Sequence, residues 1–519
     1  MFENSVIIRS VFSFCVFWRS VYENSLIKRG VDLVFQFFKE VFRYSVLYPI
    51  FAYESLKIEA RPFYIKQFQK IYTTCVATLH SAYCRGRDNS FFLRRIGHVG
   101  TGAWFENSFI VRGLKHTLGS ATLEGVLLSF FVLLVPFINK ELSLVMAFGV
   151  FGIFLLSAII RNNQTLTVTK ATVFAGLYFI MIVINSFLSI NPSGSMRDLA
   201  IHTGGVLVLF AIVNSPLTKR DYDWMFNALI FAGLLVSIYA MYQYIADVPM
   251  GSGWVDASEN PGLTVRVFGT FENPNTFAEF LIMVLPLTVA RGLKNLSEKK
   301  WLSGLSFGIP AGAMVVALLL TASRAGWLGF AFGTVIFVLL LNMKFIIPII
   351  FGGVVAFPLL PESILQRIGT IGSLSDSSNL YRYNLWKSAV EIIKDFFVTG
   401  IGTGYLAFRE ITPYYMKNMA PYHTHNTYIQ TLVEFGIVGL MIFLVWCFIL
   451  FKEGANTALG GKNFTVRVYA AALTAGFCSV MLHGIAEHIL YYSKIMLLFW
   501  VMIGLIIKAK DLNAAVENE

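Results

Sequence analysis

From Thr122 to Ile507 the chain is a succession of apolar runs, 16 to 22 residues each, broken by short connectors and by one long polar stretch. Crossing about 30 Å of hydrocarbon takes roughly 20 apolar residues of helix, and a helix satisfies its backbone polar groups without water. This pattern confines the chain to an all-α, polytopic membrane protein. Spans are expected near 122–138, 142–160, 169–190, 198–214, 224–245, 276–292, 301–320, 327–342, 344–360, 433–451, 467–488 and 490–507, about twelve in all. Composition agrees: only 14% of residues are charged, against about 25% in soluble domains.

Basic residues orient the spans. One set of connectors holds Arg161, Lys170, Lys219, Arg220, Arg291, Lys294, Lys299, Lys300, Lys344, Lys452, Lys462, Arg467, Lys508 and Lys510, while the alternate set holds only Lys140, Arg197, Arg266, Arg324 and Lys494. Under the positive-inside rule both termini are cytoplasmic, and the polar stretch 361–433 is one large outer loop containing short helices. The net charge of +11 is thereby assigned to membrane orientation and argues for no nucleic-acid partner. Five scattered cysteines show no paired spacing, so neither a disulfide framework nor a thiolate metal site is expected. The N-terminus lacks the charged, apolar, small-residue order of a cleavable signal.

Three regions follow: 1–118, a cytoplasmic segment; 119–508, the transmembrane domain; and 509–519, a cytoplasmic tail. Segment 1–118 contains an internal repeat, Phe2-Glu-Asn-Ser, Tyr22-Glu-Asn-Ser and Phe105-Glu-Asn-Ser, each followed by apolar residues and an arginine. It reads as capped amphipathic helices lying on the inner leaflet, or else as a small helical domain packing its aromatics inward.

Four constellations lie on the outer side. Arg266-Val-Phe-Gly-Thr-Phe-Glu-Asn-Pro-Asn275 precedes a span and favours a helix start whose exposed N–H groups attract anions. Thr321-Ala-Ser-Arg-Ala-Gly326 puts Arg324 at a membrane edge, as an anion binder or an interfacial anchor. The segment from Leu380 carries Tyr381, Arg382 and Trp386 on an amphipathic helix, followed by the Gly400-Ile-Gly-Thr-Gly404 turn. Last comes His423-Thr-His-Asn426; histidine is the side chain best suited to move a proton near neutrality. The H-x-H spacing could also hold a metal, but no further ligand motif accompanies it, and no metal or other cofactor is expected.

In this order and spacing the motifs R-x-F-G-T-F-x-N-P-N, T-x-S-R-x-G, Y-R-x-x-x-W, G-I-G-x-G and H-x-H-N-x-Y resemble the O-antigen ligase and polymerase superfamily, over residues 120–505. The resemblance implies a bacterial inner-membrane glycosyltransferase. Its donor would be a polyprenyl-diphosphate-linked glycan, used on the outer face of the bilayer without nucleotide sugar or metal. It implies catalytic roles for His425, Arg382 and Arg324. Arginine forks match phosphate oxygens bidentately, so Arg324 and Arg382 would grip the diphosphate, with Arg266 a third candidate. His425 would deprotonate the acceptor hydroxyl or hydrogen-bond the diphosphate. Asn426 or Glu434 would orient it or the sugar, and Asn273, Asn275, Ser323, Tyr381, Trp386 and His423 complete the expected substrate-binding set. The acceptor is a glycan, lipid or protein. A ligase is favoured on the loop motif, with a repeat-unit polymerase the alternative. A transporter or flippase is the rival class, since His202, Glu279, His483 and Glu487 fall within spans, the last two spaced to pair with each other.

Overall fold

The computed structural model describes residues 63–89, 121–163, 166–248, 265–373, 375–416 and 421–512. The Glu-Asn-Ser repeats, with the membrane-surface reading placed on them, lie outside these residues, as does 513–519 of the tail. The described chain is helical, with no strand among the described residues. It divides into two units, Met1–Ile71 with Asn342–Val355, and Tyr72–Leu341 with Ala356–Glu519.

In the smaller unit the described parts are the first residues of α1 (Phe63–Asn89), the 3-10 turn Met343–Phe345, and most of α11 (Ile346–Ala356). The larger unit runs α2 (Leu123–Leu134), α3 (Lys140–Ile160), α4 (Lys170–Phe187), α5 (Pro192–Asn214), α6 (Lys219–Ile245), α7 (Pro274–Ser297), α8 (Trp301–Ser306), α9 (Gly308–Leu320) and α10 (Arg324–Asn342). After the loop helices α12 (Glu362–Gly369), α13 (Ser377–Asp395) and α14 (Tyr405–Tyr415) come α15 (Thr427–Gly460), α16 (Phe464–His483) and α17 (Ser493–Lys508).

Nine stretches among the described residues are long and apolar enough to cross a membrane. The difference from twelve has three local sources. The first expected span is the 12-residue α2, the last is the 16-residue α17, and 327–342 and 344–360 merge into one apolar stretch, Arg324–Val355. The Arg324 side chain nevertheless donates to Thr370, so the chain that leaves the bundle end at Arg324 is back beside it 46 residues later.

Helices α7 and α16 form the centre, with 83% and 89% of their apolar windows buried against no more than 50% in the other spans. They pack on each other, α5 packs on α17, and α4 and α16 flank α15. One end of the bundle is basic: Arg291 and Lys294 both pair with Asp223, and Thr218 caps α6 in a capping box with Asp221, which also accepts from the Thr122 amide at 2.8 Å. The opposite end carries the loop helices and the four constellations built on Arg266, Arg324, Arg382 and His425.

At that end α15 is broken at Gly436, whose φ of +65° is non-helical. The Val433 and Glu434 carbonyls accept instead from the Ile401 and Gly402 amides, at 2.9 and 3.1 Å, and the Ile437 amide donates to Phe397 O at 2.8 Å. The glycine-rich turn is therefore a structural splice into the helix break. A Cβ at Gly400 would sit 2.2 Å from Glu434 O, which is why this turn needs glycine.

Candidate active site

Each motif enters the site through a helix cap. Asn273 caps α7 by accepting from the Asn275 and Thr276 amides, with Pro274 in the first turn, where its missing N–H costs nothing. Asn426 caps α15 in the same way, and its Nδ2 donates to Ile485 O at 2.8 Å. Asp376 caps α13. Ser323 is buried, and its Oγ accepts from the Gly326 amide at the start of α10. Asn273, Ser323 and Asn426 thus have backbone-holding roles in the structure, beside whatever substrate contact they make.

These caps aim four arginines at one cavity of about 560 Å³, lined by Arg266, Arg324, Arg367, Arg382, Asn275 and Trp386 among others. Arg324 donates to Thr370 O and Oγ1, both at 2.9 Å, to Asp376 Oδ1 at 2.9 Å and to Asn379 Oδ1 at 3.1 Å. Arg367 donates to the other Asp376 oxygen at 3.0 Å. Arg382 donates to Ala486 O at 3.0 Å and Ser378 Oγ at 2.7 Å, and lies 3.9 Å from Glu487. Arg266 donates to Thr321 O at 2.8 Å and Asn275 Oδ1 at 3.1 Å. Burial, and then the neighbouring Arg367, Arg382 and Arg324, push the Arg266 guanidinium down to about 9. Burial, and then Arg324, bring Arg367 to about 10. Among the described residues two carboxylates, Asp376 and Glu487, face these four cations, so there the cluster holds an excess of two positive charges (4 − 2). A site so arranged favours an anion.

The histidines stand beside it. His425 Nδ1 lies 2.7 Å from Glu487 Oε1, and Glu487 also accepts from Asn275 Nδ2 at 3.0 Å and the His488 amide at 3.2 Å. Burial alone would raise this carboxyl, but His425, His423 and Arg382 together hold it well below the usual carboxylate range. An ionised Glu487 accepts a hydrogen bond from Nδ1–H of His425 and so favours the tautomer that leaves Nε2 with its lone pair, the arrangement that poises an imidazole as a base. His423 Nδ1 accepts from the His425 amide at 3.1 Å; burial, and then the neighbouring His425, hold its ring well below the usual histidine range. His425 has φ +51°, a left-handed conformation for a non-glycine residue, and Glu272 and Ala322 in the neighbouring motifs share it. Such backbone strain gathers where surrounding structure over-determines a site. Tyr381 meets the His425 ring edge-on at 6.1 Å, and Trp386 Nε1 donates to Thr424 O at 2.8 Å.

Arg266, Asn275, Arg324, Arg382 and Trp386 are brought to one cavity, with His423 and His425 joined to it through Glu487. Glu434 is not. It is buried on α15, bonded to Gln430 Nε2 at 2.8 Å, and lines a small void on the other side of His423, with Asp198, Tyr405 and Tyr422. The carboxylate that holds His425 is Glu487, which the sequence pattern paired with His483. Helix α16 ends at His483, which removes their common face, and His483 pairs with Glu279 at 3.2 Å. Arg367 and Asp376 were also missed. Asp376-Ser-Ser-Asn is a legible helix-cap signature, whereas Arg367 sits among loop charges with nothing to distinguish it. His423, His425 and Glu487 bring potential ligand atoms within 4.8 Å of one another, a spacing that could hold a metal ion.

Fold and site define a class: a multi-pass, all-helical membrane protein with a cationic cavity and an imidazole–carboxylate pair at one bundle end. Residues 309–444 match the family described as O-Antigen ligase. The chain is 27% identical over 286 residues, 50% of its length, to a Rickettsia conorii protein provisionally named polysaccharide ligase RC0486. Over 111 residues, 20% of its length, it is 31% identical to the exopolysaccharide production protein ExoQ of Rhizobium meliloti. These alignments span 62% and 25% of the two relatives. The matches bear out the resemblance to the O-antigen ligase superfamily.

Proposed function

We propose that this protein transfers a glycan from a polyprenyl-diphosphate carrier to an acceptor hydroxyl, with the arginine cavity gripping the diphosphate and His425 as base. The observation that carries this reading is the two-charge excess of arginine beside an imidazole oriented by Glu487. A sugar-linked diphosphate has one ionised oxygen on each phosphorus, which matches that excess. In the reaction the acceptor oxygen gives its proton to His425 Nε2 and bonds to the anomeric carbon. The bond from that carbon to the diphosphate breaks, and its electron pair stays on the phosphate oxygen. Arg324, Arg367 and Arg382 then face the charge that grows on the leaving group, the usual source of large rate effects. Bundle polarity supports an outward-facing site: the basic end, with Arg291, Lys294 and Lys508, lies opposite the cavity.

Ligase remains the reading adopted within the superfamily, in line with the names of the family and of the first relative. The test is transfer in membranes of a deletion strain complemented with variants. Arg382→Ala and His425→Ala are expected to abolish transfer, and Arg382→Lys to be poor, because an ammonium lacks the planar fork. Full transfer by both alanine variants refutes the site. Piling up of long lipid-linked chains in the deletion strain indicates a ligase, and of single lipid-linked repeat units a polymerase. Labelling of a cysteine at Lys387 by a membrane-impermeant reagent checks the sidedness.

A further inference from the structure

A second cavity, of about 670 Å³, opens at the same bundle end and has a different chemistry. Its charged lining is balanced, with Lys140, Arg197 and Lys494 against Glu141, Asp198 and Glu272, so the net is zero (3 − 3) where the arginine cluster has an excess of two. It is also walled by Tyr405, Tyr422, Tyr491 and Tyr492. Tyr405 lies 6.0 Å from both Tyr422 and Tyr491, ring centre to ring centre. The Arg197 guanidinium sits over the Tyr405 ring at 5.5 Å and donates to its hydroxyl at 2.9 Å, while Arg409 covers the Tyr422 ring at 5.2 Å. Arginines so placed fix the tilt of rings that are otherwise half-exposed.

Asp198 and Thr270 line this cavity, and their buried Oδ2 and Oγ1 atoms have no hydrogen-bond partner among the described residues. Asp198 is only 8% exposed. A buried carboxylate oxygen left unbonded is uncommon, and it marks Asp198 as an acceptor-rich side chain on the cavity wall. Flat aromatic faces for C–H surfaces, a carboxylate for hydroxyls and no net charge together describe a carbohydrate site, and a poor one for a diphosphate.

The histidine pair joins the two cavities. The His423 ring lies 4.4 Å from Tyr491 and 4.3 Å from His425, and Tyr492 of the same wall is bonded through its hydroxyl to Asn273 at 3.1 Å. We propose that this tyrosine-lined cavity seats the sugar rings of the acceptor glycan, across the histidines from the donor's diphosphate. The assignment rests on the transferase reading above, and it names Tyr405, Tyr422 and Asp198 as acceptor-binding residues.

The test uses the full-length protein in membranes, with unglycosylated acceptor extracted from a deletion strain as the varied substrate. Tyr422 is 48% exposed, so its replacement leaves the core intact. Tyr422→Ala and Asp198→Asn should each raise the acceptor KM by about tenfold, the worth of one good contact, with donor KM and kcat little changed. Tyr422→Phe should restore the wild-type value. In parallel, binding of undecaprenyl diphosphate is followed by thermal shift of the detergent-solubilised protein and should be the same in wild type and variants. An unchanged acceptor KM in both variants, or a rise in donor KM instead, overturns the acceptor site. Failure of the wild-type protein to bind undecaprenyl diphosphate overturns the donor reading on which it stands, a different and separable result.

Discussion

Glu487→Gln isolates the electrostatics of the site with almost no change of shape. The carboxylate lies 2.7 Å from His425 Nδ1 and is 3% exposed, while the imidazole is 27% exposed. When His425 takes a proton in the transition state, two unit charges with centres about 4 Å apart attract by about 4 kcal/mol at an effective dielectric near 20. Discounting by half for the partly exposed imidazole leaves about 2 kcal/mol, or roughly 30-fold in rate. Loss of the bond that fixes the Nδ1 tautomer adds to this, since such orienting partners are worth about 10- to 100-fold in metal sites of similar layout. The expected fall in kcat is therefore ~100-fold or more. Donor KM should not rise, because removing the carboxylate changes the cluster's excess from two positive charges to three. Initial rates with donor varied at saturating acceptor read both quantities. A kcat within threefold of wild type, or a weaker donor KM at unchanged kcat, would refute the assignment of Glu487 as the group that orients and charge-balances His425.

Two further outcomes follow from the same geometry. Gly400→Ala puts a Cβ 2.2 Å from Glu434 O at a residue with φ +67°, and should cost about 2 kcal/mol or more. A melting temperature equal to wild type in detergent would contradict the splice. Burial tends to raise the Asp376 carboxyl, but Arg324 and Arg367 hold it below its ordinary 3.8. Its folded pKa is thus the lower one, so its contribution is complete above 3.8 and is lost as pH falls through the folded value. Protease resistance of 361–416 should drop below pH 3.8 in the wild type, and Asp376→Asn should be weaker at neutral pH and lose that dependence.

The spans and the outer motifs were legible because each rests on local chemistry: apolar run length for α3 to α7, a proline behind an asparagine for the α7 start, and Asn426 before α15. What stayed hidden was tertiary. Arg367 became a ligand candidate only when α12 folded back against Ala322 and Asp376, a contact that no spacing in the sequence encodes. Glu487 was seen but given the wrong partner, because a four-residue spacing implies a shared face only while the helix continues. The α10 region shows the same limit: run length in the sequence reads two spans, 327–342 and 344–360, where the structure has one apolar stretch, and the return to Arg324 is set by side-chain bonds to Thr370 and Asp376.

The gap in α15 has a mechanical meaning for the histidines. His425 is mounted on a pedestal of nine residues, 427–435, whose last carbonyls are anchored to the 401–402 strap and not to the long arm that begins at Ile437. Gly436 is thus the joint at which a tilt of the arm would be taken up without passing along helical hydrogen bonds to the turn that carries His425.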